Sequence, residues 1–359
     1  MQRNTEAASE TENDVRAENA RKSELSQNEG LSPDRYIDEE PNLAAYDFGE
    51  AVSHGLTLQP KRIASKWLYD REGSRLFDEI VATPDYYVPR AEVSILKKYG
   101  AMISEVVGPG ASLVELGSGS STKVRVLLDA LSLRCYIPVE ISEAQLREAS
   151  DAIRRDYPAL KVHPIAADYT KDFELPGTVR EGRLIGFFPG STLCNLLPHN
   201  SVNFLRRMKT VLGPDSVFLV GVDLKKDKTV MLRAYNDPEG PIWHFNLNIL
   251  DRMNRELGCN LDKANFRHEA IYNEAEGRME AAIYSLCHQE VHLDEGSYTL
   301  TAGEPIVLEY SHKYHIKEFQ DLAREAGWTP LHVWSDQEDL LNGAATPQRR
   351  RAVADPEAS

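Results

Sequence analysis

Three carboxylates, two glycines and a tyrosine carry the first chemical signal in the chain. Residues 114–123 read Val-Glu-Leu-Gly-Ser-Gly-Ser-Ser-Thr-Lys, an apolar run ending in Gly-x-Gly with Glu115 two positions before Gly117. Glycine lets the backbone turn sharply there and approach a ligand with no Cβ in the way. Glu140 and Asp168 close the apolar runs 136–141 and 162–168. A carboxylate at the carboxyl end of a strand can accept both hydroxyls of a ribose, which suits Glu140. Asp168 can accept from an adenine amino group, with Tyr169 available to stack on the base. Lys123 falls in the first turn of the helix expected after the glycines, where it reads either as a ligand contact or as a solvated lysine. Residues of these types, one set at each successive strand end, have the chemistry of an adenosine site.

Such a site needs elements that hold it, and the sequence supplies them. From Ser112 onward, short apolar runs alternate with helical periodicities. The expected strands are LVEL (113–116), YIPVEI (136–141), VHPIAAD (162–168), RLIGFF (183–188) and SVFLVGVDL (216–224). Between the first two, Val124, Leu127, Leu128 and Leu131 fall at i, i+3, i+4 and i+7, the stripe of an amphipathic helix; Val202, Leu205, Met208 and Leu212 form a second stripe. Near-continuous apolar strands alternating with helices predict an α/β, Rossmann-like parallel sheet covered on both faces. Residues 46–110 are expected to be the N-terminal helical part of a cap. Residues 111–224 form the core, and residues 225–315 the substrate-binding part of the cap, with a helix around 242–257 and β-like runs at 279–293 and 304–314. Residues 316–342 complete the core. A smaller α+β cap assembled from two non-adjacent segments tends to leave a cleft against the core.

The glycine pattern also discriminates between ligands. A dinucleotide site requires a third glycine, and position 122 is Thr. That disfavours the alternative of an NAD(P)-dependent oxidoreductase. An acidic residue two before the first glycine is instead the form seen in S-adenosylmethionine (SAM) enzymes, which host a sulfonium and an amino-acid moiety in place of a pyrophosphate.

Composition narrows the class further. The 359 residues are 42% hydrophobic and 27% charged, as in a folded enzyme, and the net charge of −15 argues against nucleic acid or an anionic membrane as partner. No stretch approaches the ~20 apolar residues that span a bilayer. The opening MQRNTEAASETEND lacks the apolar core of a secretory signal, so a cytoplasmic location is expected. Cys135, Cys194, Cys259 and Cys287 are far apart and without metal-ligand spacing, which predicts reduced, buried thiols and no metal site. Residues 1–45 hold eleven acidic and five basic residues and only Tyr36 as an aromatic, so this acidic extension is expected to be disordered, as is the tail 343–359.

Over residues 60–335 the chain resembles the ergothioneine-pathway L-histidine N-α-methyltransferases and their wider family. The resemblance runs in order through KWLYDREGSRLFDEI (66–80), PDYYVPRAE (84–92), VELGSGSSTKVRVLLDAL (114–131), GSTLCN (190–195), GVDLKKD (221–227), RAYNDPEG (233–240), FNLNILDRMNRELG (245–258) and EYSHKY (309–314). It implies a class I SAM methyltransferase fold and methylation of the α-amino group of histidine to trimethylhistidine (hercynine). It also implies SAM contacts from Gly117, Lys123, Glu140, Asp168 and Tyr169. By the same resemblance, Asn195 and Tyr235 would hold the substrate carboxylate, Tyr69 and Tyr86 would line the amine end, with Tyr69 the residue that orients the amine, and Glu309 with Ser311 would bind the imidazole. A small-molecule amino acid is thus the expected partner of a monomeric enzyme.

Two positions depart from the family pattern. Tyr86-Tyr87-Val88-Pro89-Arg90 stands where the family commonly has YYPTR, which reshapes the loop beside the substrate. Ala281 is smaller than the residue expected in a histidine pocket. That leaves room for a bulkier ring, and keeps an N-methyltransferase of tryptophan or a prenylated tryptophan as the alternative. A carboxylate and a hydroxyl at 309 and 311 suit the two ring nitrogens of an imidazole.

Overall fold

The apolar runs become strands, and the computed structural model describes residues 46–119, 122–237, 240–293 and 296–336, together with the backbone of 341–347. In chain order the strands are β1 (Lys61–Arg62), β2 (Ala111–Leu116), β3 (Leu133–Glu140), β4 (Lys161–Val162), β5 (Ile165–Ala166), β6 (Leu184–Phe188) and β7 (Val217–Asp223). They continue as β8 (Phe266–Asn273), β9 (Arg278–Ser285), β10 (Gln289–Leu293), β11 (Gly296–Leu300), β12 (Pro305–His312), β13 (His332–Ser335) and β14 (Leu341–Pro347).

The main sheet has the order β13–β14–β7–β6–β2–β3–β4, with β5 also paired to β3. The strands from β4 to β7 are parallel, and β14 and β13 add to the edge in antiparallel fashion. Both faces are apolar because strand side chains alternate. In β2, Val114 and Leu116 pack with Phe188, Phe218 and Trp328, while Ala111 and Leu113 pack with Ile95, Leu127 and Phe187. The strand order turns back at β2, which lies between β3 and β6. Open α/β sheets bind ligands at the carboxyl ends of strands flanking such a switch point, and the carboxyl ends of β2 and β3 carry Gly117 and Glu140.

A second sheet, β1–β12–β9–β8, packs with the helices Phe48–Gly55, Arg71–Ala82 and Pro241–Leu257 around Val52, Leu76, Phe245, Met253, Ile283 and Ile306. The expectation put all of residues 46–110 with this part. The helix Val88–Val107 instead covers the main sheet, burying Ala91, Ile95, Ile103 and Val107 against it.

Other differences have plain causes. The run 162–168 splits into β4 and β5 around Pro164, which has no N–H for a ladder. Strand β8 (FRHEAIYN) keeps one face partly open and carries charges, so its apolar signal is weak, and β1 is too short to read. Residues 343–347 were expected in a disordered tail. They extend β14, whose backbone pairs with β7 on one side and β13 on the other, a contact that NGAATP does not announce by composition. The extension 1–45 and residues beyond 347 lie outside the described residues. None of the four cysteines forms a disulfide; Cys135 and Cys194 are buried, but Cys259 and Cys287 are only half-buried. No described helix is long and apolar enough to cross a membrane.

Glu115 differs from its expected place beside a ligand. It is buried under the glycine turn, and the Tyr136 hydroxyl donates to it. Burial pushes its carboxyl up to about 8, with Glu92 and Glu140 adding to the rise and Tyr136 and Lys123 opposing it. The folded chain therefore keeps a proton that the unfolded chain releases near pH 4.5. Stability from this group is present below that pH and is lost as pH rises toward about 8, by on the order of a few kcal/mol. Melting temperatures compared across this range should fall more steeply in the wild type than in Glu115→Gln; equal slopes would remove Glu115 from the pH dependence.

Candidate active site

The turn after β2 opens the site. Gly117 has φ +72, a conformation L side chains rarely adopt, and its N–H donates to the Val139 carbonyl at 2.9 Å. A Cβ there would stand 3.6 Å from the Tyr169 ring, so glycine keeps the gap between turn and ring clear. Tyr169 is held edge-on to Phe188 and Phe204, with centroids 5.5 and 6.4 Å away. Its hydroxyl is pushed above its ordinary range by burial and then by the charges of Glu140 and Asp168, so all three share one neighbourhood. Glu140 Oε1 accepts from the N–H groups of Ile141 and Ser142 at 2.9 and 3.4 Å. Asp168 Oδ1 accepts from Thr170 N and Oγ1 at 2.9 and 2.5 Å. Both carboxylates are thereby fixed by their own turns through one oxygen, and the other oxygen of each accepts no hydrogen bond among the described residues.

Lys123 has a protein partner that the sequence did not reveal. Its ammonium lies 2.6 Å from the buried Glu92, which also accepts from the Gly190 N–H at 3.0 Å through each oxygen. An ammonium has three donors, so the ion pair leaves Lys123 able to make further contacts.

The second cluster comes from four separate elements. Tyr69 follows a 3-10 turn, Ser65–Leu68, that is locked to the next helix. Asp70 caps that helix by accepting from the Gly73 N–H at 2.8 Å and binds Asn248 at 2.8 Å. A Cβ at Gly73 would fall 1.7 Å from the Leu68 carbonyl, so only glycine lets the turn sit this close. Tyr86 precedes the helix Val88–Val107, and Tyr235 ends the helix Lys228–Tyr235. Glu309 and Ser311 come from β12, where a register shift between Val307 and Glu309 turns the strand. The bulge lets Leu308 stay in the apolar core while Glu309, one residue on, turns toward Tyr69, Tyr86 and Tyr235.

The rings of Tyr69, Phe77, Phe245, Tyr86 and Tyr235 form a wall. Tyr69 lies 5.2 Å from both phenylalanines, Phe77 is 6.1 Å from Tyr86, and Tyr86 is 6.4 Å from Tyr235. Tyr69 keeps 42% of its surface open. Surrounding protein nevertheless drives its hydroxyl well above the ordinary range, by desolvation and then by Glu309, Tyr169 and Tyr235. A side chain both open and surrounded lines a concave wall, and Tyr69 is the group that feels both clusters. Glu309 accepts no hydrogen bond among the described residues, and burial pushes it up to about 7 against the pull of Lys313. Asn195 ends the 3-10 turn Thr192–Asn195, which packs on β7 and β12 and is tied to β12 by His312 Nδ1, 3.2 Å from the Cys194 carbonyl. The Asn195 amide makes no hydrogen bond among the described residues.

Beneath this cluster lies a charged group missed in the sequence. Lys313 is fully buried, with its ammonium 2.7 Å from Asp223, 2.8 Å from Ser311 Oγ and 2.9 Å from Tyr235 Oη; the two hydroxyls are 2.9 Å apart. Asp223 also binds Lys226 and accepts from Tyr87. All three charges stand within the quoted motifs GVDLKKD and EYSHKY, where they read as ordinary strand-end residues.

SAM presents an adenosine and a charged methionine part, and the first cluster fits it: an open glycine turn, a stackable ring and two carboxylates for a molecule bearing hydroxyls and a sulfonium. The comparisons with known proteins agree. Residues 48–345 match the family described as histidine-specific methyltransferase, SAM-dependent. The chain is 37% identical over 295 residues to a histidine N-alpha-methyltransferase of Mycobacterium tuberculosis, covering 80% of this chain and 90% of that protein. It is 37% identical over 304 residues to the histidine N-alpha-methyltransferase of Mycolicibacterium smegmatis, covering 82% and 94%. Against the 4-dimethylallyltryptophan N-methyltransferase of Claviceps purpurea the identity is 26% over 329 residues, covering 84% and 95%. The dinucleotide-enzyme alternative falls with these matches. The chain belongs to the histidine-specific, SAM-dependent methyltransferases.

Proposed function

We propose that this enzyme methylates the α-amino group of free L-histidine, the reaction its bacterial relatives are named for, and carries it up to trimethylhistidine. The observation that carries the reading is the cluster of Glu309, Ser311 and Tyr235 beside Tyr69: a carboxylate without a hydrogen-bond partner among the described residues, two hydroxyls and an aromatic wall. Glu309 and Ser311 would take the two ring nitrogens. Asn195, whose amide makes no hydrogen bond among the described residues, would hold the substrate carboxylate, with Tyr235 beside it, its hydroxyl donating to Ser311. Gly117, Lys123, Glu140, Asp168 and Tyr169 would hold SAM, which supplies an electrophilic methyl on a sulfonium.

The chain's own contribution is mostly placement, which can be worth ~7–11 kcal/mol when geometry is good. The amine must be neutral to react, and a free α-amine titrates near pH ~8. Tyr69 and Tyr86 remain protonated at any working pH, because burial raises both hydroxyls. They therefore act as hydrogen-bonding guides for the amine and not as bases, and the proton leaves to water. As methyl groups accumulate, the amine loses donors and becomes a fixed cation. The faces of Tyr69, Phe77 and Phe245 suit that product, each cation–π contact contributing ~0.5–2 kcal/mol.

Purified protein incubated with SAM and a panel of amino acids tests the reading by mass spectrometry. Histidine is expected to gain successive methyl increments, while tryptophan stays unmodified. Turnover of tryptophan or a prenylated tryptophan in place of histidine would overturn the substrate. Ala281 sits opposite Glu309 across the β9–β12 ladder, next to Ala270 of β8, and is where such a ring would be accommodated.

A further inference from the structure

Lys313 serves the site from below, and its hydrogen bonds can be fully accounted for. An ammonium has three N–H donors and accepts nothing. Its three acceptors are Asp223, Ser311 Oγ and Tyr235 Oη, at 2.7, 2.8 and 2.9 Å, and no surface of the side chain reaches solvent. We infer that Lys313 is a positioning residue for the methyl transfer: by donating to both hydroxyls it forces one hydroxyl proton of the Tyr235–Ser311 pair to point into the cleft, toward the ring of the substrate.

The inference rests on the reading of Glu309 and Ser311 as the ring site. Each hydroxyl owns one proton and already accepts one from Lys313. The Tyr235 hydroxyl donates to Ser311 Oγ at 2.9 Å, which leaves the Ser311 proton. The remaining proton has no acceptor among the described residues, and only the cleft can take it. A neutral imidazole offers one lone pair and one N–H. The outward proton meets the lone pair, and the N–H is left for Glu309, which accepts nothing else among the described residues. Lys313 thus fixes a donor at one end of the ring site and leaves an acceptor at the other. Without the ammonium, each hydroxyl could turn its proton toward the vacated space, and the outward donor would no longer be enforced.

Charge balance does not require this lysine. Asp223 already pairs with Lys226 and accepts from Tyr87 at 2.8 and 3.0 Å. A second buried ammonium on one carboxylate exceeds neutralisation, and desolvating it is expensive unless its hydrogen bonds serve something. For the same reason Lys313→Met leaves Asp223 paired, so the variant is expected to fold.

The test uses the full chain. Lys313→Met should bind SAM within about twofold of the wild type by calorimetry, while KM for L-histidine rises about tenfold or more and kcat moves less. Ser311→Ala should raise KM in the same direction, and the double variant should be at most about twofold worse than the more damaging single one, because both remove the same outward donor. A structural strut would give losses that multiply, and full multiplication would overturn the inference. An unchanged KM in Lys313→Met with a raised KM in Ser311→Ala overturns the inference alone. An unchanged KM in Ser311→Ala overturns the ring-site reading and the inference with it. If Lys313→Met no longer binds SAM, the wild type and Ser311→Ala are titrated with L-histidine and with 3-(pyrrol-2-yl)-L-alanine, whose ring keeps the N–H and lacks the lone pair. The outward donor makes the wild type bind the pyrrole about tenfold more weakly than histidine and Ser311→Ala bind the two alike; equal binding of both by the wild type overturns the inference.

Discussion

Replacing Glu309 by alanine is expected to lower kcat/KM for histidine about 10²-fold or more while SAM binds as before. The carboxyl sits on β12 just after the register shift, half-buried beside Tyr69, Tyr86 and Tyr235, with no hydrogen bond to occupy it among the described residues. Desolvation holds it up at about 7, so it is poised to ionise when an N–H arrives. A charge-assisted hydrogen bond made in such surroundings is worth roughly 2–3 kcal/mol, and the truncated site also leaves the ring N–H unsatisfied. Asp168→Ala is the mirror experiment. It removes an acceptor from the cluster around Gly117 and Tyr169, and should raise the Kd for SAM about tenfold with little change in the KM for histidine. Crossed outcomes decide the assignment: histidine turnover that survives Glu309→Ala removes the ring site, and an unchanged SAM titration in Asp168→Ala removes Asp168 from the cofactor site.

The two halves of this crossed design were unequally legible in the sequence. The cofactor half depends on local features. A glycine turn, the carboxylates at strand ends and an aromatic after Asp168 can all be read from the period of the strands and their boundaries, and the fold places Gly117, Glu140, Asp168 and Tyr169 in one neighbourhood. The exception is Glu115, which has the spacing of a ligand contact but lies in a strand covered on both faces, where the Tyr136 hydroxyl donates to it. The substrate half depends on contacts between residues up to about 240 positions apart, and here only the family resemblance brought Tyr69, Tyr86, Tyr235, Glu309 and Ser311 together. What neither route showed is the support beneath them. Lys313, Asp223 and Glu92 are charged residues that turn inward, and a strand-end lysine next to aromatic residues reads as solvated until the fold buries it. The β12 bulge was equally hidden, because an extra residue in a strand changes no composition.

Tyr69→Phe is expected to lower kcat about 10- to 100-fold, with the KM for SAM and the Kd for histidine within about threefold of the wild type. The ring makes the packing contacts with Phe77 and Phe245, and phenylalanine keeps them, so neither fold nor wall should change. The hydroxyl alone is lost. It has no hydrogen-bond partner among the described residues, yet it feels Glu309, Tyr235 and Tyr169, the residues of both clusters. A group in that position is free to direct the lone pair of a bound amine toward the cofactor end, and misdirection of a reacting atom costs rate more than affinity. The effect should also grow smaller with each methyl added, since the monomethyl and dimethyl amines have fewer N–H donors for the hydroxyl to guide. Single-turnover measurements starting from histidine and from its dimethylated form separate the steps. A Tyr69→Phe enzyme slowed equally on both would assign Tyr69 to the wall and take the guiding of the amine away from its hydroxyl.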